Sequence, residues 1–95
     1  MKIDNDIHNY YEHLVSEKID ELGIADTHSA DYIADIVCLA LNQLPPRYIR
    51  YEVDMAFYLP NSERLQMAMN VENAVKKAVN YLNGAGEKRP KEATK

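Results

Sequence analysis

The sequence predicts a mainly α protein, a small helical domain of about three to four helices with one short extended segment. Three observations carry this. A densely apolar run from Ile33 stops after Leu44 at the double proline Pro45-Pro46. Apolar residues recur at helical spacing both before and after that run. Between Pro45 and Pro60 the periodicity breaks down, and no long alternation replaces it.

The first helix is predicted over Ile3 to Leu22. Ile3, Ile7, Tyr11, Leu14, Lys18 or Ile19, and Leu22 form one stripe, with acidic residues mostly elsewhere. Asp4 and Asp6 suit its positive end, and Gly23 suits its stop. Ile24 to Ser29 reads as a polar connection in which Asp26, Thr27 or Ser29 caps the next helix.

Helix two then runs to about Gln43, with Ile33, Ile36 or Val37, Ala40 and Leu44 at helical spacing. Ile33 to Leu41 holds one charge, Asp35, so this helix is nearly apolar all round and belongs inside the protein or an oligomer. Pro45 biases Leu44 away from helical backbone and neither proline has an N–H, so the helix ends between Asn42 and Leu44. Ile49 to Val53 is predicted as a short extended segment. A last helix follows Pro60, running from Ser62 to Leu82 with Leu65, Met69, Glu72, Val75, Val79 and Leu82 on one face, and closing at Asn83-Gly84. The domain is expected to span residues 1–84, with 85–95 a disordered charged tail lacking any apolar pattern.

Ninety-five residues make one domain, burying roughly 60–65% of its unfolded surface. The net charge of −4 argues against general nucleic-acid binding through a broad basic face, while leaving room for a small anion held by local cations. Residues 1–6 lack the apolar core of a signal peptide, and no segment is long enough to span a bilayer, so the expectation is a cytoplasmic protein without membrane insertion. The single Cys38, placed mid-helix, reads as a small buried hydrophobe.

His8 and His13 are five apart, about 140° around a helix, and cannot chelate one zinc ion together. His8–Glu12 and His13–Glu17 read as ordinary surface pairs. Burial in an apolar run would leave Cys38 a poor nucleophile, and Ser16, Ser29 and Ser62 lack a strand–turn–helix setting. No case for an enzyme emerges. Asp31 is explained by capping, whereas Asp35 among apolar neighbours calls for hydrogen bonds or a cation, with Arg47 or Arg50 as candidates. Arg47-Tyr48-Ile49-Arg50-Tyr51 alternates basic and aromatic residues. Guanidinium forks match phosphates and stack on bases, and tyrosine rings stack and hydrogen-bond. Equally, the tyrosines can pack on the core while the arginines pair with carboxylates.

Asp35-Ile36-Val37-Cys38-Leu39-Ala40-Leu41-Asn42-Gln43-Leu44-Pro45-Pro46-Arg47-Tyr48 resembles the signature of the late-competence ComFB family, an Asp-hydrophobic-x-x-Leu-Ala-Leu-Asn-x-Leu-Pro-Pro-Arg/Lys-Tyr segment. The resemblance spans roughly residues 7 to 83, from an acidic N-terminal helix to a C-terminal one. It implies a small, mainly helical homodimer without catalytic activity, which receives cyclic di-GMP or cyclic di-AMP and signals to a regulatory protein partner. The implied ligand-binding residues are Asp35, Asn42, Arg47, Tyr48 and Arg50. Arg47 or Arg50 would meet the phosphates, Tyr48 would stack on or support a base, and Asp35 or Asn42 would orient the arginine or read a base edge. Two Pro-Pro-Arg-Tyr corners meeting across a two-fold axis would suit a two-fold-symmetric ligand. Some relatives bind a structural zinc through cysteines before the signature aspartate. Here Thr27-His28-Ser29-Ala30-Asp31-Tyr32-Ile33-Ala34 has none, so no zinc or other cofactor is expected. Arg50-Tyr51-Glu52 also departs from the usual glycine-containing turn, so the resemblance does not fix which dinucleotide binds. The runner-up reading is a protein-interaction module of the late-competence type with no nucleotide ligand. A metal-stabilised accessory protein of DNA uptake is a more distant third.

Overall fold

A computed structural model describes residues 6–51, 53, 55 and 58–85. The chain order is strand β1 (His8–Asn9), helices α1 (Tyr10–Glu21), α2 (Ile24–Thr27) and α3 (Ala30–Asn42), strand β2 (Tyr48–Ile49) and helix α4 (Asn61–Ala85). The mainly helical expectation holds, with four helices and a two-stranded sheet among the described residues. Helix α4 is the spine; α3 and α1 pack on it and on each other.

Local chemistry explains most of the boundaries. The Asn9 side chain accepts the Tyr11 N–H at 3.2 Å and caps α1. Gly23, in left-handed backbone at φ 71°, ends α1 at a conformation costly for other residues. The Ser29 hydroxyl accepts the Tyr32 N–H at 3.2 Å and caps α3. At the other end of α3, the Gln43 and Leu44 N–H groups donate to Ala40 and Leu41 carbonyls, a tightened last turn before the prolines.

The core gathers Tyr11, Val15 and Ile19 of α1, Ile24 of α2, Ile36 and Ala40 of α3, Leu44, Met55 and Leu59, and Met67, Val71, Ala74, Val75 and Ala78 of α4. Val15, Ile36 and Val75 are fully buried at its centre. No polar or charged residue is buried among those described.

Several boundaries and faces differ from the sequence expectation. The first helix starts at Tyr10, not Ile3: His8 and Asn9 are extended and pair antiparallel with Ile49 and Tyr48, while Met1–Asn5 lie outside the described residues. Ile7 and Leu22 are exposed, and Val15 takes the central place on the stripe. The supposed connection after Gly23 contains α2, whose Ile24 is buried. The extended segment is confined to Tyr48–Ile49, and Val53 is helical. Helix α4 continues through Asn83 and Gly84 to Ala85. The expected tail from 86 onward lies outside the described residues.

Two packing expectations also fail. Of the expected α4 face, Val75 is buried and Val79 and Leu82 pack against the core, but Leu65 and Met69 are exposed, because the N-terminal half of α4 turns Met67 and Val71 to the core instead. Cys38 is exposed rather than buried. Only the Ile36–Ala40 side of α3 is sealed, and Ile33, Val37, Leu39 and Leu41 are half-buried.

Among the described residues, no helix is long and apolar enough to cross a membrane.

Candidate functional site at the double-proline corner

The corner begins where α3 runs out of donors. Leu44, buried, anchors the chain, and Pro45 and Pro46 carry it away from the helix axis without an N–H to continue the ladder. Arg47 is then clamped through its backbone on both sides. Its N–H donates to Asn9 Oδ1 at 2.9 Å, and its carbonyl accepts the Tyr10 N–H at 2.7 Å. One side-chain oxygen of Asn9 thus caps α1 and holds the corner.

From this clamp the Arg47 side chain reaches the first turn of α4, where its Nη1 donates to the Glu63 carboxylate. Both side chains are partly exposed. The pair borders a cavity of about 290 Å³ lined by Tyr11, Pro45, Pro46, Arg47, Glu63, Gln66, Met67 and Asn70. Its far wall is a side-chain chain: Gln66 Nε2–H donates to Asn70 Oδ1 at 2.9 Å, and Asn70 Nδ2–H donates to the Tyr11 hydroxyl at 3.4 Å. Pro45 and Asn70 also belong to a neighbouring cavity of about 290 Å³, completed by Gln43, Leu44, Asn73, Ala74 and Lys77. These groups offer a guanidinium and an ammonium for anions, amides that both donate and accept, and proline and tyrosine faces for planar rings.

Of the five residues expected to bind ligand, Arg47 alone lines either of these cavities. Tyr48 begins β2 and is 65% exposed. Arg50 is exposed, with its guanidinium carbon 5.0 Å from the Tyr51 ring centroid, a cation–π arrangement. Asn42 is exposed and donates only a long 3.8 Å contact to Cys38 Sγ. Asp35 is half-buried on α3. The carboxylate on the Arg47 guanidinium is therefore Glu63, where the sequence suggested Asp35.

Sequence reasoning missed Asn9, Tyr11, Gln66 and Asn70. A signal for the last existed: Glu63, Gln66, Asn70, Asn73 and Lys77 are spaced three and four apart, a polar stripe on α4 beside its buried one.

A further cavity of about 300 Å³ lies at the other end of α4, between Leu22, Ile24, His28, Tyr32, Lys76, Val79, Asn80 and Asn83. The His28 ring stacks on Tyr32 at 4.2 Å, and the Tyr32 hydroxyl donates to Asn83 Oδ1 at 3.1 Å. His28 Nδ1 lies 3.1 Å from the Ile24 carbonyl oxygen. Among the described residues, no group of three or more His, Cys, Asp or Glu side chains is placed to hold a metal ion.

The family model of the late competence development protein ComFB matches residues 8–85. No curated protein and no solved structure matches the chain.

Proposed function

The chain belongs to the late-competence ComFB family, and from that premise we propose that it is a non-catalytic signalling protein that binds a cyclic dinucleotide. It works in the cytoplasm as a homodimer, without zinc or another cofactor, and passes the signal to a regulatory protein partner. The observation that supports this reading is the double-proline corner. It fixes the Arg47 backbone between Asn9 and Tyr10 and turns the guanidinium toward a cavity walled by proline, tyrosine and amide groups. A phosphate diester competes well for such a guanidinium, because the existing partner Glu63 is partly exposed and its pairing is weak. Tyr48, exposed beside the corner, can stack on a base that extends beyond it.

Calorimetric titration of the full chain with cyclic di-GMP and cyclic di-AMP, with GTP and ATP as controls, tests the proposal. Saturable binding at micromolar affinity or tighter supports it. Arg47→Ala should weaken that binding roughly ten- to a hundredfold, the worth of a charge-assisted contact, while leaving the protein folded. Silence with both dinucleotides from folded protein overturns the receptor reading. It would favour a module that binds protein alone, for which the exposed Tyr48, Tyr51, Val53, Tyr58, Leu65 and Met69 supply apolar surface.

A further inference from the structure

The end of the molecule away from the double-proline corner carries a cavity that the receptor reading does not use. It measures about 300 Å³ and lies between the α1–α2 turn, the start of α3 and the last turns of α4. Ile24 and Val79 give it an apolar lining, the stacked rings of His28 and Tyr32 an aromatic wall, and Asn80 and Asn83 a polar edge along α4. We propose that this cavity is filled by the chain's own C-terminal segment, with Pro90 on the His28–Tyr32 wall and Lys88, Arg89 and Lys91 against the carboxylates of the rim. This docking is independent of the receptor reading, and stands in place of the free charged tail expected from composition.

Charge complementarity favours that occupant. Between Asp20 and Tyr32 the chain holds four carboxylates, Asp20, Glu21, Asp26 and Asp31, and no lysine or arginine. All four are exposed, and each stands within two residues of a side chain that lines the cavity. Glu21 is paired with Lys18 at 3.2 Å, whereas Asp20, Asp26 and Asp31 have no ion-pair partner among the described residues. Lys76 brings the one ammonium to the lining, and Glu72 engages it at 2.8 Å. Residues 86–95 have the opposite balance, with Lys88, Arg89, Lys91 and Lys95 against Glu87 and Glu92.

The segment also starts in the right place. Helix α4 ends at Ala85, two residues beyond Asn83 on the cavity wall. Pro90 lies five residues further on, a span of at most roughly 16–18 Å. Lys76, the α4 lining residue farthest from that end, is nine residues back, about 13–14 Å along the axis. The stretch from Gly86 to Lys91 is therefore long enough to fold back over the whole α4 wall. Gly86 is the residue type that reverses a chain at a helix end.

The cavity's chemistry suits a proline flanked by cations. Proline favours the polyproline II conformation, whose backbone makes no internal hydrogen bonds and docks on aromatic-lined grooves. Here the aromatic lining is the His28–Tyr32 stack, with ring centroids 4.2 Å apart. The carbonyls of such a segment need outside donors. Asn80 offers one, since its amide has no hydrogen-bond partner among the described residues. Exposed ion pairs are individually weak, and tethering offsets this. A short flexible linker gives an effective concentration on the order of millimolar, so a contact too weak to join two molecules is populated within one chain.

The test is NMR of the full chain, reading the signals of Leu22, Ile24, His28, Tyr32 and Asn80. Pro90→Ala and the double variant Arg89→Glu/Lys91→Glu lie outside the core residues, and circular dichroism should match wild type in both. Each should move the His28 and Tyr32 ring signals in the same direction. Salt at about 1 M, where the Debye length is about 3 Å, should move them the same way. Asp20→Lys/Asp26→Lys should release the segment too, and combining it with Arg89→Glu/Lys91→Glu should bring the signals back toward wild type. Ring signals that keep their wild-type positions in both Pro90→Ala and Arg89→Glu/Lys91→Glu overturn the proposal. Signals that move on roughly tenfold dilution of the wild-type chain overturn it as well, because they assign the cavity to the tail of a second copy. Neither result touches the receptor reading at the corner.

Discussion

Asn9→Ala is the most informative single perturbation of the corner. One oxygen, Asn9 Oδ1, accepts two backbone N–H groups, that of Tyr11 at 3.2 Å and that of Arg47 at 2.9 Å. Losing the cap costs about 1 kcal/mol. Stranding the part-buried Arg47 N–H costs roughly another 1–2 kcal/mol, the penalty for an orphaned donor. The sum, about 2–3 kcal/mol, is a large fraction of the roughly 5–14 kcal/mol available to a domain of this size. It corresponds to a fall in Tm of roughly 10–20 °C. Urea unfolding followed by circular dichroism gives the change directly. Asn9→Asp is the control, because it keeps the acceptor at both positions and caps as well as asparagine. The reasoning fails if Asn9→Ala lies within about 0.5 kcal/mol of wild type, or if Asn9→Asp is as damaging as the alanine. The corner's main-chain amides should report the same event locally, with the Arg47 amide exchanging its hydrogen faster in Asn9→Ala than in wild type.

The core and the charged surface supply three more expectations. Ile36→Ala, at a fully buried centre where α3 meets α4, should destabilise by about 3–4 kcal/mol; a urea midpoint close to wild type would show that the core does not close around it. Glu63→Gln removes the carboxylate facing Arg47, and because both side chains are partly exposed the stability change should stay within about 1 kcal/mol. Dinucleotide affinity, measured by calorimetry, should instead rise severalfold; a fall would make Glu63 a ligand contact. Glu72 is held below the ordinary carboxylate range by the hydrogen bond from Lys76, then by the Lys76 charge, then by that of Lys18. A depressed carboxyl contributes stability above its unfolded-state value and loses it as the pH falls through the folded-state value. Lys76→Met should therefore return the Glu72 titration, followed by NMR, toward the ordinary range; an unmoved titration would show that the Lys76 pair is not its cause.

How far the site could be read from the chain depends on the distance over which each contact acts. Arg47 was legible because the double proline before it breaks the helix by itself, with no help from other elements. Its partners were not. Asn9 lies 38 residues earlier and Glu63 lies 16 later, and nothing local to Arg47 selects them over Asp35, which stands on the adjoining helix. Tyr48 and Arg50 have suitable chemistry, but strand pairing with His8–Asn9 leaves Tyr48 largely in solvent, outside the two cavities.

The same division runs through the fold. The sequence by itself determined where α3 ends, through the prolines, and the end of α1 at Gly23, since caps and breakers act within a few residues, while the structure chose Ser29 over Asp26 and Thr27 as the α3 cap. It also determined that α1, α3 and α4 are helices, because apolar spacing is a local signal. Tertiary structure alone decided which face of α4 is buried. Leu65–Met69 and Met67–Val71 are both apolar rows at helical spacing, and the choice belongs to α1 and α3, which cover the second and leave the first in solvent. Tertiary structure likewise made strand β1 from what reads as helix, since the His8–Asn9 backbone gains partners on Tyr48–Ile49 only once the corner has been brought to it. Burial and strand pairing are properties of two segments together, so neither segment carries the answer alone.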